Sequence, residues 1–425
     1  MGAERVMFPG SLRRAVVLSF VLQVAAIGIL HAYRMRTADN HFGFGWEMGC
    51  IGKALASGRG FSDPYCVPSG PSAWEPPVYP FLIGGVFRIF GIYSYVSAWI
   101  LLTINSLFSA LTCIPIYRIA EKTMGSRVAH WSVWTWALLP TVWYWSIHWV
   151  WDTTISPFIL CLIFLTALSL EDWDGLKGWS LFGILWGVEA LMYPGMLLFL
   201  PCCGLWVWHR RHRRGMKSLA GVVLSAVLFL LCLTPWLVRN SITFGKLVFI
   251  RDDFAQQLRL GNGPDADGLQ MSYLQPNLSS EARRRFSEMG ELAYVEVQKR
   301  EAYKFIRENP GRFALISAKR FVYYWAGIPH PGDGILVDLP RRSIFLGSSL
   351  LAIWGLICAV RRKRPGACLF ALLLMSYPSV YYFVYANARY RHPIEPELLI
   401  LAVYAICSAE TGRSAGSEIS ERRPA

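Results

Sequence analysis

Long apolar runs constrain this chain more than any other feature. Ala15 to Ala32 is broken only by Gln23, Val96 to Ile119 is nearly continuous, and Trp179 to Trp208 extends for 30 residues before His209-Arg210-Arg211-His212-Arg213-Arg214. A bilayer core offers no water to satisfy a backbone, so runs of this kind are helical. About 20 residues of helix cross a hydrocarbon core of about 30 Å. With 54% hydrophobic and only 16% charged residues, the 425-residue chain lies outside the range of soluble domains.

Charge orients the runs. Arg118, Lys122 and Arg127, the Arg210–Arg214 cluster and Arg361-Arg362-Lys363-Arg364 all sit in short connectors, where cytoplasmic loops collect basic residues. The excess of 42 Lys and Arg over 28 Asp and Glu is therefore read as membrane topology. No nucleic-acid-binding motif accompanies it. Arg5, Arg13 and Arg14 precede the first run, and His31, Tyr33, Arg34 and Met35 follow it in place of a small-residue cleavage site. That pattern identifies a retained span and not a signal peptide.

The expected architecture is an all-α polytopic membrane protein of about ten spans with both termini cytoplasmic. Residues 1–238 form an N-terminal transmembrane region that includes a first external loop at 34–95. Residues 239–343 form a smaller external segment, 344–408 the C-terminal transmembrane helices, and 409–425 a polar tail expected to be disordered. Val78 to Phe90 is too short to cross and is expected to lie at the interface as a juxtamembrane helix. Pro140 should bend the run from Val128 to Val150, and a break near Tyr193-Pro194-Gly195 should split the 30-residue block. Ser279, Ser280 and Glu281 are capping residues for a charged helix reaching Asn309.

Three polar stretches converge on the external face: the first loop, the segment from Arg239 to Asn262, and Asn387-Ala388-Arg389-Tyr390-Arg391-His392. The first supplies Glu47 and Glu75, with Asp152 at the exit of a tryptophan-rich run, and the last supplies fixed cations. Carboxylates beside arginines are what transfer from a phosphate ester requires, since a proton must leave the acceptor while a charged phosphate departs. Each residue also has an ordinary reading: Glu47 as a loop-helix cap, Glu75 as an interface acid, Arg389 and Arg391 as snorkelling side chains. There is no Gly-x-x-x-x-Gly-Lys phosphate loop, His-Glu-x-x-His zinc motif or Gly-x-Ser-x-Gly nucleophile elbow. No ligand spacing marks a metal, although a divalent ion stays open as a cofactor. Eight of the ten cysteines lie in or beside apolar runs, and Cys50 and Cys66 share the first loop either as a disulfide or as two free thiols.

In their order, several motifs resemble the bacterial members of glycosyltransferase family 39, relatives of protein O-mannosyltransferases and of the lipid A aminoarabinose transferase. They are the acidic first loop, Trp74-Glu75-Pro76-Pro77-Val78-Tyr79-Pro80, Thr234-Pro235-Trp236-Leu237-Val238-Arg239-Asn240, Gly261-Asn262, and Ala388 to Pro396. The resemblance implies a GT-C bundle and a transferase that takes sugar from a polyprenyl-phosphate donor, and one direct displacement would invert the anomeric carbon. The acceptor would be a lipid, glycan or protein on the outer face of a bacterial inner membrane. It carries the catalytic role to Glu47, which here follows Trp46 where the family has an Asp-Glu pair. Glu75, the second expected catalytic residue, positioning the acceptor or sugar, falls where the aminoarabinose branch has an acid before Lys-Pro, and here Pro76 stands in place of that lysine. Substrate contacts are then expected from Arg389, Tyr390, Arg391, His392, Arg239, Asn262 and Asp152. Two alternatives compete: a lipid or sugar transporter with Glu189 and the break at Pro194 as its central site, and a non-catalytic membrane scaffold.

Overall fold

A computed structural model of the chain describes residues 10–35, 42–173, 175–330, 332 and 334–421, with side chains through Ala409. Arg5, Asp39-Asn40-His41 at the head of the expected loop, and the last four residues of the tail lie outside the described residues.

The described chain is a helical bundle. Helix α1 spans Gly10–Ile29, α2 Glu47–Ala56, α3 Val78–Phe90, α4 Tyr95–Leu111, α5 Cys113–Thr123, α6 Ser126–Leu138, α7 Pro140–His148, α8 Ser156–Ser169 and α9 Leu176–Met192. Helix α10 spans Leu200–Arg213, α11 Leu219–Phe244, α12 Phe254–Gly261, α13 Ser280–Met289, α14 Glu291–Glu308, α15 Pro310–Ala326, α16 Ile335–Arg361, α17 Ala367–Ser376 and α18 Glu395–Glu421. Among the described residues four continuous stretches are long and apolar enough to cross a membrane by themselves: α1, α4 with α5, α11 and α16. The shorter apolar helices among the described residues include Val78–Phe90, Ser156–Ser169 and Ala367–Tyr382.

The breaks have local causes. Proline lacks the N–H that would continue a helix, and Pro140 starts α7 after a one-residue interruption at Leu139. Pro194 likewise ends α9 and opens the 3-10 turn Pro194–Leu198 before α10. Helix α3 has the bounds expected for the short interfacial helix. Ser279 Oγ accepts from Ala282 N at 3.3 Å to cap α13, and Gly290 separates it from α14. Two boundaries differ from expectation. Helix α11 runs on through Pro235, Arg239 and Asn240 to a left-handed Gly245, and α16 begins at Ile335, nine residues before Ile344. The tail expected to be disordered continues α18 as helix through Glu421.

Small residues bring helices together where apolar matching alone cannot. A side chain at Gly183 in α9 would run into the backbone of Ser225 in α11, and one at Gly221 would run into Trp179. Gln23, in the middle of α1, is fully buried. It accepts from Ser146 Oγ at 2.5 Å and donates to Ser19 Oγ at 3.0 Å and Ser109 Oγ at 3.4 Å, joining α1 to α4 and α7.

The basic connectors meet at one end of the bundle. Lys122 pairs with Asp172 at 3.3 Å, Arg210 with Glu171 at 2.5 Å, and Arg214 reaches both acids. At the other end α13 and α14 dock on the first loop through Tyr65, Trp74, Phe286 and Tyr294. All four rings are nearly fully buried, and burying a large apolar side chain contributes about 1.5–3 kcal/mol. Cys50 and Cys66 are joined in a disulfide with Cα atoms 4.9 Å apart, which ties α2 to the rest of that loop.

Candidate active site

Glu47 owes its position to a tight turn. Val150 N donates to Gly43 O at 3.2 Å, so this turn lies directly against the end of the tryptophan-rich run. A Cβ at Gly45, whose φ is +76°, would run into the Val150 carbonyl, so only glycine fits there. Trp46 follows with φ 43°, a conformation that β-carbon-bearing residues rarely adopt, and its ring stands edge-on to Trp151. The outcome is that Glu47 becomes the first residue of α2, turned inward and only 7% exposed.

It faces a cavity of about 1170 Å³ that Glu75, Asp152, Arg251, Arg389 and Tyr390 also line. That volume exceeds the usual small-ligand range of about 300–1,000 Å³. Gln275 Nε2 donates to Glu47 Oε1 at 3.0 Å. Glu75 is held by Trp74 on one side and Pro76-Pro77 on the other, with Arg251 Nη1 3.7 Å from its carboxylate. Arg251 pairs closely with Asp253, whose other contact is Gln257 Nε2 at 2.7 Å. Asp152 accepts from Thr153 N at 2.7 Å. The Arg389 guanidinium lies 4.0 Å from the ring centre of Trp151, which stacks on Trp149, so this cation is presented on an aromatic shelf.

Burial sets the acid–base behaviour. It pushes Glu47 from 4.5 to about 7, against the opposing pull of the backbone hydrogen bond at the helix start and of Arg389. Asp152 rises to about 6 for the same reason, opposed by Arg389 and Arg251. Glu75 is driven up by burial more than Arg251 brings it down.

Four expected contact residues take other places. Arg391 is 1% exposed and spends its donors on Glu395 at 2.9 and 3.1 Å, Ser348 and Ser349 at 2.7 Å and the Phe345 carbonyl at 3.0 Å, which fastens α16 to the turn before α18. His392 is packed against Trp136 and Trp145. Arg239 donates to the carbonyls of Ser72 at 2.6 Å and Phe61 at 2.8 Å, holding the backbone that leads to Glu75. Asn262 bridges the carbonyls of Leu258 and Phe383 at 2.7 and 2.8 Å. Glu189 is fully buried, accepts from Ser156 and does not line the cavity. Arg251, Asp253 and Gln275 line the cavity without having been singled out in the sequence, although Arg251-Asp252-Asp253 lies inside the polar segment that was. Among the described residues no group of three or more His, Cys, Asp and Glu is arranged to hold a metal ion.

This bundle, with a carboxylate and arginine cavity at the end opposite its basic connectors, has the fold of GT-C glycosyltransferases. Residues 74–238 match the family model of dolichyl-phosphate-mannose-protein mannosyltransferases. Among solved structures the chain resembles the oligosaccharyltransferase AglB of Archaeoglobus fulgidus in complex with an inhibitory peptide and a dolichol-phosphate. The TM-score is 0.56 at 13% identity over 98% of this chain and 52% of that one. The same enzyme with zinc and sulfate gives 0.54 at 13% identity over 94% and 49%. ArnT of Cupriavidus metallidurans bound to undecaprenyl phosphate gives only 0.39 at 12% identity over 97% and 81%. The chain thus spans about half the length of the AglB structures. No curated protein sequence matches it.

Proposed function

We propose that this protein is a membrane glycosyltransferase that moves a sugar from a polyprenyl-phosphate-linked donor to an acceptor on the external face of a bacterial inner membrane. The observation that carries the reading is Glu47. It is a buried carboxylate brought to about 7 in a cavity that also presents Arg251 and Arg389. A general base works best when its pKa is near the working pH.

In this mechanism Glu47 takes the proton of the acceptor's hydroxyl or amide as that atom bonds to the anomeric carbon. The bond from that carbon to the phosphate oxygen breaks, and the phosphate leaves with its electron pair and negative charge between Arg389 and Arg251. A single displacement of this kind inverts the anomeric centre. Glu75 holds Arg251 in place from the side opposite Asp253, and Asp152 orients the acceptor. A divalent ion, if bound, would add positive charge at the departing phosphate. Sidedness is supported by the gathering of Lys122, Arg210 and Arg214 at the far end, the end that positive residues mark as cytoplasmic. Both termini then lie in the cytoplasm.

The test is transfer in liposomes from radiolabelled polyprenyl-phosphate sugars, with a membrane extract as acceptor source. Wild type should label an acceptor, and Glu47→Gln should lower the rate by about 10²- to 10⁴-fold. Transfer that survives Glu47→Gln removes the base from the mechanism. Movement of labelled lipid across the bilayer without transfer replaces the reading with a carrier.

A further inference from the structure

Asp252 and Glu291 are two carboxyls without a part in the mechanism above, and both lie outside the four long apolar helices. Asp252 stands between Arg251 and Asp253 of the cavity wall, and Glu291 is the first residue of α14. The first loop runs between them. Asp252 N donates to Ala73 O at 3.1 Å, and Ala73 N donates to Glu291 Oε1 at 2.5 Å. Ala73 is thus gripped from both sides, two residues ahead of Glu75.

The side chains of Asp252 and Glu291 also meet each other. Both carboxylate oxygens of Asp252 and Oε2 of Glu291 are buried without a donor from the protein. Two ionised carboxylates can only accept, so this contact repels unless one of them carries a proton and donates it. The charged groups around the pair do not remove that need. Arg251 is engaged with Asp253 and Glu75, and Arg239 of α11 with the carbonyls of Ser72 and Phe61. Burial and then the Asp253 charge push Asp252 up to about 6, against the Glu291 hydrogen bond, Arg251 and Lys246. Burial and then Asp252 raise Glu291 as well, against Ser72 and the Ala73 amide. The proton belongs to the pair.

We propose that Asp252 and Glu291 are positioning residues that share one proton and through it clamp Ala73-Trp74-Glu75 against Arg251-Asp252-Asp253. The effect on rate rests on the transferase reading above, and the clamp itself does not. While the proton is present, Glu75 stays 3.7 Å from Arg251. Once it is lost, two buried negative charges face each other and the segments part, drawing Glu75 away from Arg251. In water these carboxyls ionise near about pH 4. Each pH unit above that makes the shared proton harder to hold and favours parting by up to about tenfold. The clamp is therefore closed in acid and opens on the alkaline side.

The experiment uses full-length protein in nanodiscs and the variants Asp252→Asn and Glu291→Gln. In each, the new NH₂ group donates to the remaining carboxylate and replaces the proton, and in Glu291→Gln the amide oxygen still accepts from Ala73 N. Deuterium uptake is read over Ser72–Glu75, a stretch flanked by Pro71 and Pro76, which carry no amide hydrogen. Wild-type exchange, divided by that of Glu291→Gln at the same pH to cancel base catalysis, should rise by about tenfold or more between pH 7 and 9. In a parallel series of sugar transfer, the wild-type rate should fall on the alkaline side, and both amide variants should carry transfer to higher pH. A pair that only filled space would give no such rescue. An exchange ratio that stays flat with pH overturns the shared proton. An alkaline limb that stays in place in both amide variants overturns the positioning role. A wild type that transfers at no pH brings down the transferase reading alone, because exchange reads the clamp without it.

Discussion

Replacing Glu47 by Gln should slow transfer by about 10²- to 10⁴-fold and at the same time make the protein more stable, with a pH dependence fixed by burial. In the folded chain the carboxyl lies near 7, above its unfolded 4.5. Below pH 4.5 it is protonated in both states and costs nothing. Between 4.5 and 7 the unfolded chain ionises while the folded one holds its proton, and the penalty grows as pH rises. Above 7 it is complete, and a displacement from 4.5 to about 7 corresponds to about 3 kcal/mol. Glutamine keeps the shape, has no charge to bury and can still meet the Gln275 amide. Thermal melting of purified protein in detergent should therefore show Glu47→Gln several degrees above wild type at pH 8 and level with it near pH 4.5. Equal melting at both pH values would refute the claim that burial strains this carboxylate. A variant less stable than wild type at pH 8 would show instead that the Glu47 charge is held favourably by Arg389.

Wild-type transfer should rise with pH through about 7 with unit slope, because the base must lose its proton, and rates at pH 6 should be about tenfold below the plateau. Arg389→Ala removes a cation that lowers both Glu47 and Asp152, so this acid limb should move to higher pH while the plateau falls, as a pH series of rates would record. Gly45→Ala places a methyl against the Val150 carbonyl at φ +76°, and should cost most of the activity while bilayer insertion, read by protease protection, is unchanged. Cys50→Ser with Cys66→Ser frees α2 from the rest of the first loop, and should cost about 2–4 kcal/mol of stability with a larger loss of activity at 37 °C than at 20 °C.

Much of the bundle was legible because proline and apolar length act locally. The breaks at Pro140 and Pro194 and the short helix from Val78 to Phe90 needed no tertiary information. Helix α11 outran its expected end since Pro235 can be accommodated inside a helix whose apolar face continues to Phe244. In the site, Glu47, Glu75, Asp152, Arg389 and Tyr390 could be nominated from charge and neighbourhood, and all five line one cavity. Arg391 could not be told from Arg389 two residues away. The turn Ala388–Ile394 sends one guanidinium to the Trp151 shelf and the other toward Ser348, Ser349 and Glu395, a difference in direction that composition does not carry. Gln275 was invisible for a related reason: an uncharged side chain 228 residues from Glu47 becomes its partner only through the fold.

That separation governs when the site comes into being. Glu47 belongs to the first long loop of the chain, and Arg389 to the turn before the final helix. At about 5–20 residues per second, synthesis leaves roughly half a minute in which the first exists without the second. Until Gln275 and the turn Ala388–Ile394 are made, Glu47 lacks the Gln275 amide that donates to it and the Arg389 guanidinium that shares its cavity. On the transferase reading proposed above, a partly made chain would hold the base without the cations that receive the phosphate.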